Sequence, residues 1–260
     1  MTETTRDSEP AWRPEDLTGD PHANADKPQK VRDMFAAIAG SYDLNNRVHS
    51  LWRDQAWRRE AVRTSDVQPG DVVLDCACGT GDLTQAFAKT EASRVVGLDF
   101  TPEMLEVARR KKTHAPHGEK IEYVEGDAQD LPFDNGSFDV VSIAFGIRNV
   151  QDPGRALAEF ARVLRSGGRL VVLEFGTPTF APLRVINDLY CGRIMPRTAT
   201  WISRDRSGAY RYLPKSVSTF LSRAQMQRAM VYAGFSDVRS RGMTLGVCVC
   251  YRGLRAHAPD

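Results

Sequence analysis

At 260 residues, with 42% hydrophobic and 26% charged side chains, the chain has room for one large domain whose core needs neither metal nor disulfide. Thirty-five Lys and Arg against 33 Asp and Glu leave a net charge of +2, too balanced for a protein whose main partner is nucleic acid. No apolar run approaches the roughly 20 residues that span a bilayer, the N-terminus lacks a secretory pattern, and an odd count of five cysteines fits reduced thiols in the cytoplasm.

Residues 1–29 are polar, carry Pro10, Pro14, Pro21 and Pro28, and show no hydrophobic period, which predicts a disordered tail. From residue 30 to 260 a single domain is expected, beginning with a helical cap over 30–66. Val31, Met34, Phe35 and Ile38 recur on one helical face, and a second helix rich in Trp and Arg is predicted over Leu51 to Arg63. After the Pro69-Gly70 break, short apolar runs alternate with helical patterns. Val72 to Cys76, Arg94 to Asp99, Ile121 to Glu125, Phe138 to Ala144 and Leu170 to Phe175 read as strands. Asp82 to Lys89, Pro102 to Lys112 and Pro153 to Leu164 read as helices, the last stopped by Gly167-Gly168. Such repeated units predict an α/β fold with a doubly wound, mostly parallel sheet. A helix ending at Gly234 and two runs, Asp237 to Ser240 and Leu245 to Tyr251, then predict an antiparallel pair at the sheet edge.

Residues 178–221 break this rhythm. They form a long insertion with Arg184, Arg193, Arg197, Arg204, Arg206, Arg211 and Lys215 against Asp188 and Asp205, and with Trp201, Tyr210 and Tyr212 among them. Segments of this kind serve as lids or binding elements, and the arginine excess suits contact with anionic lipid at about 1 kcal/mol per charge.

The most informative stretch is Val72-Val73-Leu74-Asp75-Cys76-Ala77-Cys78-Gly79-Thr80-Gly81-Asp82, a strand that ends in an acid and turns through glycines into a helix. Gly79 and Gly81 lack Cβ, so the backbone can turn tightly against a ligand. Asp99 ends the second strand, 20 residues past Gly79, where a carboxylate can accept both ribose hydroxyls of a nucleoside. Asp127-Ala128 follows the third strand, placed to meet an adenine edge. A nicotinamide dinucleotide would want a third glycine where Thr84 stands, and Asp75 would repel its pyrophosphate. A cationic, phosphate-free nucleoside such as S-adenosylmethionine meets no such repulsion. The pairs Cys76-x-Cys78 and Cys248-x-Cys250 read as strand packing rather than zinc ligands, so no metal is expected.

The turn resembles that of class I S-adenosylmethionine-dependent methyltransferases, with a Rossmann-like seven-stranded sheet and a C-terminal antiparallel hairpin. The resemblance narrows through Tyr42-Asp43-Leu44-Asn45-Asn46, Gly126-Asp127-Ala128-Gln129-Asp130-Leu131-Pro132-Phe133, Phe145-Gly146-Ile147-Arg148-Asn149-Val150, Arg162 to Gly168 with Glu174, and Tyr210 to Val217, which are similar to the UbiE/MenG family. This resemblance implies C-methylation of a polyprenylated demethylmenaquinol, with a polyprenyl benzoquinol, or another small-molecule acceptor of a related methyltransferase, as the alternatives. It implies a cofactor site at Asp75, Gly79, Thr80, Gly81, Asp99, Phe100, Asp127, Ala128 and Ala144. Arg148 and Asn149 would face the acceptor. Arg148 cannot be a neutral base, but it can stabilise a developing phenolate and orient a water that takes the proton. Tyr42 and Tyr212 would contact the ring, and His49 is the other residue able to act as base near neutral pH. Expected partners are the quinol, the inner face of a membrane contacted peripherally, and a second copy of the chain in a homodimer.

Overall fold

The computed structural model describes residues 10–178, 180–203, 205 and 207–256. Three helices open the chain: α1 (Lys27–Ile38), α2 (Tyr42–Ser50) and α3 (Arg53–Ser65). The alternating part follows as β1 (Val72–Cys76), α4 (Asp82–Ala88), β2 (Arg94–Asp99), α5 (Pro102–Lys112), β3 (Ile121–Glu125), β4 (Phe138–Ala144), α6 (Pro153–Val163) and β5 (Leu164–Phe175). Then come α7 (Ala181–Leu189), a π-helical turn over Tyr190–Ile194, α8 (Met195–Ser203), α9 (Ala209–Thr219), α10 (Arg223–Tyr232), β6 (Phe235–Met243) and β7 (Cys248–Arg255).

The seven strands run in the order β3-β2-β1-β4-β5-β7-β6. Strands β1 to β5 pair in parallel, whereas β7 pairs antiparallel with both β5 and β6. The central parallel strands β1, β2 and β4 are buried on both faces because helices cover both. Leu74, Cys76, Val96, Leu98, Val141 and Ile143 face a core shared with Leu157 and Phe160 of α6 and Met226 and Met230 of α10. Val73, Val95 and Val140 face the opposite way, into a core with Trp57 and Ala61 of α3 and Phe87 of α4. Each such fully buried Leu or Phe stabilises the fold by about 1.5–3 kcal/mol. Cys76 and the pair Cys248 and Cys250 belong to these two different cores.

Helix ends follow the local chemistry. Asp152 accepts from the Arg155 N–H at 3.0 Å with Pro153 in the first turn of α6, and Ser222 and Gln225 cap α10 reciprocally. Strand β5 begins at Leu164, six residues earlier than its apolar run, and its pairing to β4 shifts register between Phe138 and Val140. The predicted second helix is α3, which starts two residues later than expected, and α2 precedes it as a further helix. Leu51 and Trp52 both take left-handed backbone angles, φ 52° and 60°, and separate α2 from α3. Helix α2 escapes periodicity because Tyr-Asp-Leu-Asn-Asn carries no apolar stripe.

The segment expected as a disordered tail is ordered from residue 10; residues 1–9 lie outside the described residues. Trp12 is 0% exposed, and short 3-10 turns cover Glu15–Leu17 and Pro21–Ala23 before α1 begins. The physical reason is a bulky apolar side chain in a polar stretch: its ring stacks on Tyr212, with centroids 4.5 Å apart. The insertion is helical, and its Tyr210 and Tyr212 are buried, so neither offers an interfacial ring to lipid. Arg204, Arg206 and the side chain of Trp201 lie outside the described residues.

Candidate active site

The chain runs outward from β1 through β2 to β3, then returns to β4 beside β1. The carboxyl ends of β1 and β4 therefore flank a topological switch point, where connecting loops part and open a crevice. A narrow cleft occupies it. Its walls include Ala77 and Gly79 after β1, Asp99 and Phe100 after β2, Gly126, Asp127 and Ala128 after β3, and Ala144 to Gly146 after β4. Tyr42, Phe35 and Asn149 complete its outer side.

Two backbone features shape the turn. Gly81 lies at φ +81°, and a Cβ there would sit 2.1 Å from the Tyr123 hydroxyl. Gly79 lies at φ +55° with its open side facing the cleft. Ala77 and Phe145, at φ 49° and 57°, hold the same left-handed conformation without being glycine, one after each strand of the switch point.

Six of the nine expected cofactor residues line this cleft: Gly79, Asp99, Phe100, Asp127, Ala128 and Ala144. Asp99 accepts from the backbone N–H of Gly79 at 2.8 Å and of Thr101 at 2.9 Å, while burial pushes its carboxyl upward. Asp127 accepts from the Gln129 N–H at 2.9 Å and from its side-chain amide at 3.0 Å. The other three residues turn elsewhere. Asp75 is buried beneath the turn, accepting from Thr84 and Ser142 hydroxyls at 2.7 Å each, and burial lifts its pKa to about 6. Its carboxylate thus braces α4 and β4 instead of pointing at the cleft. Thr80 donates to Asp43 at 2.5 Å, and Gly81 is covered by Tyr123. Lys111 extends the Thr80 contact into a network, donating to Asp43 at 2.6 Å and Asp82 at 2.5 Å, with Arg47 and Gln55 on the other Asp82 oxygen. That network fastens α2 over the glycine turn.

A second, wider cleft adjoins the first, and Phe35, Tyr42 and Phe145 belong to the walls of both. Arg148, Tyr212, His49, Asp54 and Arg58 line it, as does the inner side of the turn after α7 through Tyr190 and Cys191. The expected acceptor residues are therefore brought together, but in a wider setting than sequence suggested. Tyr42 meets Phe35 edge-on at 5.9 Å, and burial raises its hydroxyl pKa.

Arg148 is 6% exposed and Glu174 2% exposed as side chains, and they form an ion pair at 2.7 Å. The same guanidinium nitrogen donates to the Phe145 carbonyl at 2.7 Å, and the plane lies over Phe175 at 5.2 Å. Glu174 also accepts from the Phe175 N–H at 2.8 Å. Asn149 donates to the Phe145 carbonyl at 3.2 Å and accepts from the Tyr212 hydroxyl at 3.1 Å, linking one cleft to the other. His49 Nδ1 and the Tyr190 hydroxyl are 3.0 Å apart, whereas Nε2 is buried with no partner among the described residues, and burial lowers the imidazole pKa.

Sequence reasoning gave no role to Glu174, Phe145, Asp54 or Arg58. Asp54 accepts from Arg58 at 2.8 Å and from Ser50 at 2.9 Å, and Arg58 sits 5.6 Å over the Phe145 ring. The i, i+4 spacing of Asp54 and Arg58 was the available signal; for Phe145 and Glu174 it was their place at strand ends and in the stretches that carry the family resemblance.

The sheet order, the switch-point cleft and the convergence of three strand ends define the architecture of a class I S-adenosylmethionine-dependent methyltransferase. A solved S-adenosylmethionine-dependent methyltransferase from Thermotoga maritima superposes with a TM-score of 0.60 at 21% identity, covering 86% of this chain and 98% of that one. The chain belongs to the ubiE/COQ5 methyltransferase family, whose model matches residues 23–255. It is 42% identical over 236 residues to the ubiquinone/menaquinone biosynthesis C-methyltransferase UbiE of Geobacter sp. strain M21, covering 90% of this chain and all of that protein. It is 38% identical over 229 residues to the demethylmenaquinone methyltransferase of Clavibacter sepedonicus, covering 88% of this chain and 91% of the relative.

Proposed function

We propose that this enzyme uses S-adenosylmethionine to methylate a ring carbon of a polyprenylated demethylmenaquinol, completing menaquinol. The observation that carries the reading is the pair of clefts meeting at Phe35, Tyr42 and Phe145. The first contains Asp99 and Asp127 and, among the described lining residues, no Lys, Arg or His. That donor set fits a nucleoside bearing a sulfonium and an ammonium, and it disfavours a pyrophosphate. When bound there, S-adenosylmethionine supplies an electrophilic methyl group. The second cleft is large enough for a two-ring head and the start of a prenyl chain.

The chain's own residues then have separable tasks. Asp99 accepts from ribose hydroxyls, and the amide at Gly79 keeps its carboxylate oriented. Tyr42 and Phe145 form the boundary that aligns the two reactants and excludes water. The ring hydroxyl must lose its proton for the ring carbon to become nucleophilic, and the carbon's own proton leaves after methyl transfer. Arg148, held rigid by Glu174, places positive charge beside the developing phenolate. Its committed Nη1 makes it an electrostatic residue, and His49 Nε2, neutral and without a partner among the described residues, is the acceptor for the proton.

The outer surface of α7 and the turn after it suits the membrane in which such a substrate resides. Val185, Ile186, Leu189 and Ile194 are exposed there beside the exposed Arg184, Arg193 and Arg197, while the inner side of the same turn lines the second cleft. No helix among the described residues is long and apolar enough to cross a membrane.

Methyl transfer from labelled S-adenosylmethionine to reduced naphthoquinol and benzoquinol acceptors of equal prenyl length tests this reading. A clear preference for the naphthoquinol is expected. Preference for the benzoquinol would replace the acceptor, and transfer to neither would overturn the proposal.

A further inference from the structure

Residues 11–22 precede the stretch that the family model matches, which begins at residue 23. The whole of the Geobacter relative aligns within 236 of the 260 residues. Nevertheless this segment is built into the molecule at several independent points. The Trp12 N–H donates to the Ser207 carbonyl at 2.9 Å, and a Cβ at Gly208 would fall 2.3 Å from the Trp12 carbonyl oxygen, so the seat is cut to fit. Lys30 donates to the Ala11 carbonyl at 3.1 Å and to Asp16 at 3.0 Å, with its ammonium 5.6 Å from the Trp12 ring centre. Further on, His22 Nε2 lies 2.9 Å from the Ser216 carbonyl and therefore carries the proton, leaving Nδ1 to accept from Lys27 at 3.2 Å. Lys27, almost fully buried, also donates to the Val150 carbonyl at 2.6 Å.

These anchors fall on the elements that carry the acceptor residues, α9 with Tyr212 and the turn with Asn149. Pro14 and Leu17 themselves form part of the second cleft's wall. A continuous path leads inward: Trp12 stacks on Tyr212 at an interplanar angle of 21°, Tyr212 donates to Asn149, and Asn149 donates to the Phe145 carbonyl where the clefts meet.

We propose that the N-terminal segment from Ala11 to Ala23 is a strap over the acceptor cleft, and that Trp12 is a positioning residue acting on the quinol through Tyr212. The inference rests on the acceptor reading given above. A ring stacked flat against Tyr212 removes its rotational freedom, so the hydroxyl stays on Asn149 and the inner face of the phenol keeps one pose. Among the described residues the strap's hydrogen bonds and ring stacking fall on α1 and on α9 with the turn before it, and toward the first cleft it shares only apolar packing with Phe35, Tyr42, Phe100 and Met104, so the effect should fall mainly on the acceptor.

The test uses the full chain with Trp12→Ala and Trp12→Phe. Steady-state methyl transfer gives KM for the quinol and kcat, calorimetry gives the S-adenosylhomocysteine Kd, and circular dichroism verifies folding. Trp12→Ala is expected to raise the quinol KM at least tenfold, change kcat less than threefold and keep the Kd within twofold. Trp12→Phe, which retains a stacked ring, is expected to return KM to within threefold of wild type. An unchanged KM in folded Trp12→Ala would overturn the strap. So would a parallel loss of kcat, KM and nucleoside affinity that Phe does not rescue. Should Trp12→Ala not fold, Lys30→Ala decides: it frees the strap from outside without opening the core, and an unchanged quinol KM overturns the proposal. A wild type inactive on quinols but active on another acceptor would remove the quinol reading alone, and the same KM split on that acceptor would judge the strap.

Discussion

Arg148 and Glu174 form a buried pair whose removal separates stability from chemistry. At 2.7 Å and an effective dielectric near 20, their gross attraction is about 6 kcal/mol, most of which offsets desolvation. Glu174→Gln keeps an oxygen for the Phe175 N–H but leaves the guanidinium without its counter-charge. Stranding a buried charge in this way costs about 3–5 kcal/mol, a drop in Tm on the order of 10 °C for a domain of this size. Adding Arg148→Met removes the stranded charge. The Phe145 carbonyl still receives the Asn149 amide, so no buried acceptor is orphaned. The double variant should therefore recover at least about 2 kcal/mol of the loss. Urea unfolding followed by circular dichroism measures this, and quinol methylation is measured on the same samples. Turnover should stay depressed in the double variant, because the guanidinium assigned to the developing phenolate is gone while Arg58 stays committed to Asp54. A Glu174→Gln protein within about 1 kcal/mol of wild type would refute the energetic reasoning. Recovery of both stability and full turnover would reduce Arg148 to a packing role.

Asp99→Ala should weaken S-adenosylhomocysteine binding by about 1–3 kcal/mol in calorimetry, as for a lost charge-assisted bond; unchanged affinity would remove Asp99 from the site. Asp75 carries its carboxyl at about 6, above the ordinary value near 3.9, so folding takes up a proton between those limits. Its contribution is complete below about pH 4 and is lost as pH rises through about 6, a fall of about 3 kcal/mol that Asp75→Asn should abolish in urea titrations across that window. Ala77→Gly should stabilise by up to about 1 kcal/mol, since relief of the left-handed backbone exceeds the added freedom of the unfolded chain; a destabilised variant would show that the methyl packing against Gly146 prevails. Ile186→Glu should reduce sedimentation with anionic vesicles while leaving methylation of a short-chain, water-soluble quinol intact. Equal sedimentation would exclude α7 as the docking face.

The extent to which sequence spoke depended on how far apart the interacting residues lie. Strand ends and helix starts are local, so Val72 to Cys76, Arg94 to Asp99 and Ile121 to Glu125 appear in the structure with the same bounds as their apolar runs. The seven-stranded sheet with its antiparallel edge followed from those units and from family resemblance. Asp99 and Asp127 were legible as site candidates because a parallel sheet delivers every strand's carboxyl end to one side. Side-chain direction was not legible. Asp75 and Thr80 occupy expected positions in the turn, yet one faces Ser142 and the other Asp43, partners 67 and 37 residues away along the chain.

The sequence by itself determined the order of strands and helices from β1 to β5, the glycine turn and the acidic character of the first cleft, since each depends on neighbours within a few residues. Tertiary structure alone decided that Trp12 leaves a polar stretch to stack on Tyr212, that Glu174 pairs with Arg148, and that Tyr212 bonds to Asn149. Those contacts join segments that come near each other only after the sheet has formed, and their energies come from exclusion of water, which no local pattern encodes.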